Sequence, residues 1–419
     1  MNLQIRKSTI VQYFLIYILI CFQGSLAFRY YNTLFIAIAF FAAAYVGIKK
    51  HKQIPGHFVL FLIVLTISLI MEILLTNGGV YLSSIVSIVA RFCIVLAAYW
   101  YMEDTFVERF VKMIVFLAVI SFIGFCIVSI EPNILKKLMI EHKEIMNTYW
   151  SSYSVSLYGG ILFAFSSATA RNIGIFHEPG LYQIVLNAAL YLMLFKRDKL
   201  NITNKQYNVF LVVLVITLLS TMSTTGIIGM IALFCVYFVF YKEKTNRKIK
   251  GLFLVTIICA IIVSYFSGGS GYLDKYVFSK IFSDGGQIDF SNSTGSSRIL
   301  SLISDLSIFR QHIFGIGYVN YNNAFKNNLL DKTISDTSSC VGLTQVLAIL
   351  GIVVFAVIIF YYIYLMSKNL TAAQKIGFII IFINTSLAQP YIWFPAIVVL
   401  LLIRDNLPKE RNYELPKTN

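Results

Sequence analysis

Apolar runs of about 17 to 25 residues, separated by short polar stretches, recur from one end of the chain to the other. At 1.5 Å per residue such a run matches the roughly 30 Å of hydrocarbon in a bilayer. The pattern predicts spans near residues 9–28, 33–48, 56–75, 80–99, 111–130, 180–195, 206–221, 223–241, 251–267, 339–366, 374–389 and 391–403. Two polar intervals, 132–179 and 268–338, are too long to be turns, and long connections in a compact fold commonly carry function. The chain divides accordingly into 1–131 (helices one to five), the loop 132–179, 180–267 (helices six to nine), the loop 268–338, and 339–419 (the last three helices and a tail). In the first loop, residues 136–150 are charged and predict a helix. The weakly apolar stretch 151–170 is expected to lie in the membrane interface or to re-enter it.

Basic residues set the orientation. Lys49, Lys50 and Lys52, then Arg109 and Lys112, then Lys196, Arg197, Lys199 and Lys205, then the cluster from Lys242 to Lys250, and later Lys368, Lys375 and Arg404 fall in alternate loops. The short loops of the other side hold only Arg29. Lys and Arg mark the cytoplasmic side, so both termini are expected inside and both long loops outside. The first run, behind Arg6 and Lys7, is long and has no small-x-small cleavage pattern, so it reads as a retained helix.

Composition sharpens this picture. Of 419 residues 58% are hydrophobic and 13% charged, about half the charged share of a soluble domain. The fold class expected is an all-α integral membrane protein of about twelve transmembrane helices. The net charge of +15 could serve nucleic acid, but its residues sit in short clusters between apolar runs, which argues against that partner. Six cysteines lie in or beside apolar runs with no CxxC pair, so neither a disulfide framework nor a metal site is expected. No Walker loop, dinucleotide fingerprint, GxSxG or HExxH occurs, and no cofactor is expected.

Candidate chemistry lies mainly in the long loops. Arg298, Asp305 and His312 are spaced by seven, nearly two helical turns, and would share one stripe of a helix that Gly315 and Gly317 end; Arg310 sits nearby. The stripe is either the solvated side of a surface helix or a site where arginine holds a diphosphate while a histidine or carboxylate moves a proton. The first loop ends in Arg171 and RNIGIFHEPG, directly before an apolar helix. Pro179 and Glu178 suit a helix start, and Arg171 with that start could form an anion site beside His177 and Glu178 as acid or base. Within the spans, Glu72 and Arg91 are costly charges. They form either an ion pair between helices, or Arg91 holds an anionic lipid head group. The small polar run Ser220 to Gly226 predicts close helix packing. Gln389, Pro390, Trp393 and Pro395 predict a short outer turn with an aromatic anchor.

The RNIGIFHEPG element entering a helix, the STTG element, the late segment SSRILSLISDLSIFRQHIFGIGY and the helix beginning SSCVGLTQVLAILG together resemble the Wzy-type O-antigen and capsular polysaccharide polymerases, which share a superfamily with the O-antigen ligases. The resemblance implies a glycosyltransferase that moves a growing glycan from undecaprenyl diphosphate to the next lipid-linked repeat unit. It implies Arg171, Arg298 and Arg310 at the diphosphate, His312 as first choice of base and Glu178 as second. Membrane lipid and a chain-length regulator are the further partners it implies. A ligase, or a flippase of lipid-linked glycan, is the alternative.

Overall fold

The computed structural model describes residues 7–51, 53–76, 79–131, 140–141, 154–157, 161–166, 171–241, 293–328, 339 and 341–404. Its helices are α1 (Lys7–Cys21), α2 (Leu26–Tyr30), α3 (Asn32–Lys49), α4 (Gly56–Leu75), α5 (Leu82–Met102), α6 (Phe106–Ile130), α7 (Pro179–Phe195), α8 (Asn204–Ser220), α9 (Thr224–Phe240), α10 (Ser293–Gln311), α11 (Gly317–Asn328), α12 (Gly342–Asn369), α13 (Ala372–Ser386) and α14 (Pro395–Leu402). The stretches Asn32–Lys49, Gly56–Leu75, Leu82–Ile130 and Gly342–Asn369 are long and apolar enough to cross a membrane, and five shorter apolar helices accompany them. A helix lies within every apolar run except 251–267, which falls outside the described residues.

Two helices form the centre. Every residue from Leu181 to Phe195 of α7, and all of α14, is buried. Around them the remaining helices bury one face and leave the other bare. On α4, Phe58, Phe61, Leu65 and Leu69 point inward while Leu60, Ile63, Ile67 and Leu74 are exposed. Both faces are apolar, as lipid requires on the outside and packing on the inside. Close packing is met by small residues as the Ser220–Gly226 run implied: a Cβ on Gly226 would lie 2.7 Å from Gln183 Cβ, and one on Gly229 2.8 Å from Asn384 Nδ2.

The last carbonyls of the central helices have no partner within their own helix and no water in an apolar interior. Other helices supply the donors. Tyr207 donates to the Met193 carbonyl (3.0 Å) and Gln374 to that of Phe195 (3.2 Å). At the end of α14, Asn369 donates to Leu401 (2.8 Å), Tyr99 to Leu402 (2.8 Å) and Lys196 Nζ to Ile403 (2.9 Å). Lys196 is fully buried, and the Ile403 carbonyl is one partner of its ammonium.

The expected continuity fails in three places, each for a local reason. The first run breaks after Cys21, where Gly24 takes φ +106 and Ser25 restarts the chain as the cap of α2, accepting from the Phe28 N–H at 3.1 Å. Within the stretch 151–170 the described residues include two strands. Ser154–Leu157 (β2) pairs antiparallel with Ile140–Glu141 (β1) and Phe163–Ser166 (β3), and SVSL and FAFS alternate with period two. The pair Ile140–Glu141 also interrupts the helix expected over 136–150, the rest of which lies outside the described residues. β3 docks on α6 through Phe163, whose ring fills the space above Gly124.

The third break is the most consequential. α12 is interrupted at Gly351, which takes φ 67 and ψ −177. The turn after α10 inserts there: Ile316 N–H donates to the Ala348 carbonyl (3.0 Å) and Ile352 N–H to that of Ile313 (2.9 Å). A Cβ on Gly351 would lie 2.6 Å from the Phe314 carbonyl oxygen. Gly317 is pressed against Gly79 with equal closeness, and Val319 N–H donates to the Gly79 carbonyl at 3.0 Å. The left-handed backbone and the collision both weigh against a side chain. Gly351→Ala is therefore expected to lower stability by about 1–3 kcal/mol, read as thermal unfolding of purified protein in detergent. Gly47→Ala in α3, with nothing within 4 Å of the new methyl, should be neutral or slightly stabilising; equal losses from both would refute the account.

Candidate functional site

The approach to α7 is fixed by Asn172, which is buried. Its N–H donates to the Ser220 carbonyl (3.0 Å), its Nδ2 to Ser220 Oγ (2.9 Å), and its Oδ1 accepts from Gly174 N–H (3.1 Å). Arg171 precedes it, half-buried. Three residues past Gly174, His177 Nδ1 lies 3.0 Å from the Gly24 carbonyl. A carbonyl only accepts, so Nδ1 carries the proton and Nε2 presents a lone pair. Burial, with the Arg29 guanidinium adding to it, holds this imidazole below its usual range and so neutral. Glu178 is the N-cap residue of α7 and Pro179 its first turn, as the sequence implied, yet the Glu178 side chain makes no capping bond. Capping thus accounts for Pro179 and leaves the carboxylate available.

Arg91 stands in the middle of α5. Its Nη1 donates to Ser87 Oγ (2.7 Å) and to the Ser87 carbonyl (3.1 Å), and its guanidinium carbon lies 5.6 Å from the ring centres of both Phe28 and Tyr391. Tyr318 stands near it as well. Its Nε is buried with no partner among the described residues, and Glu72 does not pair with it. The interhelical ion pair is therefore not what holds Arg91; aromatic faces and a serine do. Glu72 is itself buried, and its Oε1, also without a described partner, would lie 2.6 Å from a Cβ on Gly315.

The same short segments join Arg91 to the α7 approach. Gly24 accepts from His177 while Phe28, four residues on, covers Arg91. Gln389 Nε2 would lie 2.6 Å from a Cβ on Gly180, the Glu178 carboxyl carbon is 3.9 Å from the same point, and Tyr391 covers Arg91. The late segment reaches this place through Tyr318. Phe28, Tyr318, Gln389 and Tyr391 were not singled out from the sequence as site residues. Polar and aromatic residues flanking short turns were the available signal, but only tertiary approach reveals what they flank. Trp393, expected as an interfacial anchor, is instead buried in the core.

The helix expected through Arg298, Asp305 and His312 is present as α10 up to Gln311, but its stripe is not uniformly solvated. Asp305 is fully buried, accepting from Tyr321 (2.6 Å) and Thr344 (2.7 Å), and it ties α10, α11 and α12 together. Arg298 is half-buried, whereas Arg310 and His312 are exposed. At 1.5 Å per residue Arg298 stands about 18 Å along the axis from Arg310 and about 21 Å from His312, so the stripe does not bring the three close to one another.

Four stretches long and apolar enough to span a bilayer, a buried ammonium bonded to a backbone carbonyl, a half-buried guanidinium in the middle of an apolar helix, and little outward polarity define the class: an integral membrane protein. The O-antigen ligase family model matches residues 209–359, from α8 through the break in α12, and bears out the resemblance to the O-antigen polymerase and ligase superfamily. That match supports a membrane enzyme of the glycosyltransferase or ligase type acting on lipid-linked polysaccharide in a bacterial membrane. No curated protein and no solved structure matches the chain.

Burial pushes the Asp305 carboxyl up to about 6 from 3.8, against the pull of its Tyr321, Ser339 and Thr344 donors. A raised acid favours the folded state most below the unfolded value, and the advantage is lost as pH rises through about 6. Between pH 4 and 7 the wild type should lose about 2 kcal/mol relative to Asp305→Asn. Parallel stability profiles for the two proteins would refute this.

Proposed function

We propose that the protein is a polysaccharide polymerase that transfers a growing glycan from undecaprenyl diphosphate to an incoming lipid-linked repeat unit, on the outer face of the bacterial cytoplasmic membrane. The observation that carries the reading is Arg91, an intramembrane guanidinium whose Nε has no partner among the described residues, flanked by Phe28 and Tyr391 and approached by Tyr318 of the late polar region. As the glycosidic bond breaks, negative charge grows on the departing diphosphate, and a fixed cation in a low dielectric favours that change. Arg171 lies on the segment that leads to this place, and Arg310 and His312 are at the end of α10 nearest Tyr318. Arg298, a further candidate for the diphosphate, stands about 18 Å along α10 from Arg310.

The acceptor hydroxyl must lose a proton. His312 and Glu178 are the two bases proposed, and neutral His177 beside Glu178 is placed to orient the acceptor. No metal or nucleotide enters the scheme. A ligase is the second reading, favoured by the description of the matching family; it differs only in passing the finished glycan to another acceptor. The interrupted helix α12 is the feature a transporter would share, but its opened backbone is filled by the 312–317 turn and lines no described cavity.

Vesicles carrying the purified protein and lipid-linked repeat units alone should yield a ladder of lengthening glycans on a gel. Arg91→Gln should slow the ladder by about 10²- to 10³-fold with the protein still folded, and loss of activity in either Glu178→Gln or His312→Ala assigns the base. A single transfer product, seen only when a second acceptor is added, would replace the polymerase with the ligase. Full activity in Arg91→Gln would remove the diphosphate role from this residue.

A further inference from the structure

The end of the molecule opposite Arg91, where α4 and α6 begin and α5, α12 and α14 finish, encloses a cavity of about 210 Å³. Its wall carries charges of both signs: Glu103 and Asp104 from the turn between α5 and α6, and Lys199 and Arg404 after α7 and α14. No ion pair joins Arg404 to Glu103 or Asp104. Two further wall residues keep unused polar atoms. Asn369 is 6% exposed and donates its Nδ2 to Leu401, while its Oδ1 has no partner among the described residues. His57 meets Tyr361 Oη through Nδ1 at 3.2 Å, and its buried Nε2 likewise has none.

The backbone gives an independent sign. Glu103 takes φ 39, a conformation that costs any residue but glycine and that tends to persist where a side chain is needed. The fold asks only for a tight turn there, which glycine would make without strain. A carboxylate held at that cost has a use beyond the turn.

We propose that this cavity binds a small zwitterion of the phosphoethanolamine class, presented as a lipid head group at the membrane surface. Glu103, Asp104 and Asn369 Oδ1 accept from the ammonium, and Arg404 and His57 take the phosphate. A cation alone would meet Arg404, and an anion alone two carboxylates; a ligand with both charges suits each part of the wall. The volume is below the roughly 300–1,000 Å³ of drug-sized pockets and fits a head group. The site is independent of the transfer reaction at the other end.

The test uses the full-length protein in detergent with short-chain phosphatidylethanolamine, phosphatidylglycerol or free phosphoethanolamine, read by native mass spectrometry and by the shift in melting temperature. Phosphatidylethanolamine should be retained and should raise the melting temperature, phosphatidylglycerol, which lacks the amine, should do neither, and free phosphoethanolamine should displace the lipid if the head group suffices. Displacement by the free zwitterion at low concentration with no preference for the lipid would move the source from membrane to solution and overturn the lipid assignment. Glu103→Gly should leave the unliganded melting temperature equal or higher and weaken retention at least tenfold, with Arg404→Gln weakening it similarly. Equal binding of both lipids, or retention undiminished in both variants, overturns the proposal. So does a Glu103→Gly protein that binds normally but melts earlier, since that outcome assigns Glu103 to the turn alone.

Discussion

A bilayer offers the backbone no hydrogen-bond partner, and that single shortage organises this molecule. Where α12 opens at Gly351, the amides and carbonyls it releases are met by the turn between α10 and α11. Where α7 and α14 finish, side chains from four other helices reach across to their carbonyls. The first arrangement draws the late polar segment down among the helices. The second locks the opposite end. The region around Arg91 lies between them, which explains why residues remote in sequence are brought to one place.

The same shortage governs the charges. Arg91 leans on Ser87 and two aromatic faces, Lys196 on a terminal carbonyl, and Asp305 on two hydroxyls. Among the described residues, neither Arg91 nor Asp305 is joined to an opposite charge. An ion pair would neutralise Arg91 and remove its pull on an anion; an aromatic and hydroxyl setting supports the guanidinium while preserving that pull. Asp305 plays the converse part. Its hydroxyl partners make it a latch among three helices, and neither solvent nor a substrate is within its reach.

Much of the fold was legible because apolar length is a direct consequence of bilayer thickness. Each apolar run that falls within the described residues contains a helix, and the Glu178-Pro179 start of α7 was visible from dipole and ring geometry alone. What the runs concealed were the breaks. Gly24 and Gly351 look like any other glycine within an apolar stretch, and only the approach of another backbone decides that they bend. Strands β2 and β3 are four residues each, too short for their alternation to compete with a reading by hydropathy. Spacing by seven found helix α10 but not its environment: Asp305 faces a neighbouring helix while His312 lies beyond the helix end. Arg91 was noticeable as a charge where charge is expensive. Its companions Tyr318, Gln389 and Tyr391 were not, since aromatic and amide residues near turns are common and their partner was two hundred residues or more away.

The bond from Lys196 to Ile403 also has a mechanical consequence. It fastens the end of α7 to the chain just past α14, two helices that are buried from Leu181 to Phe195 and from Pro395 to Leu402. Neither can slide along its own axis without drawing a buried ammonium off its carbonyl, and an apolar interior offers no ready substitute for a lost hydrogen bond. The two central helices are therefore coupled at their ends and act as a single axle.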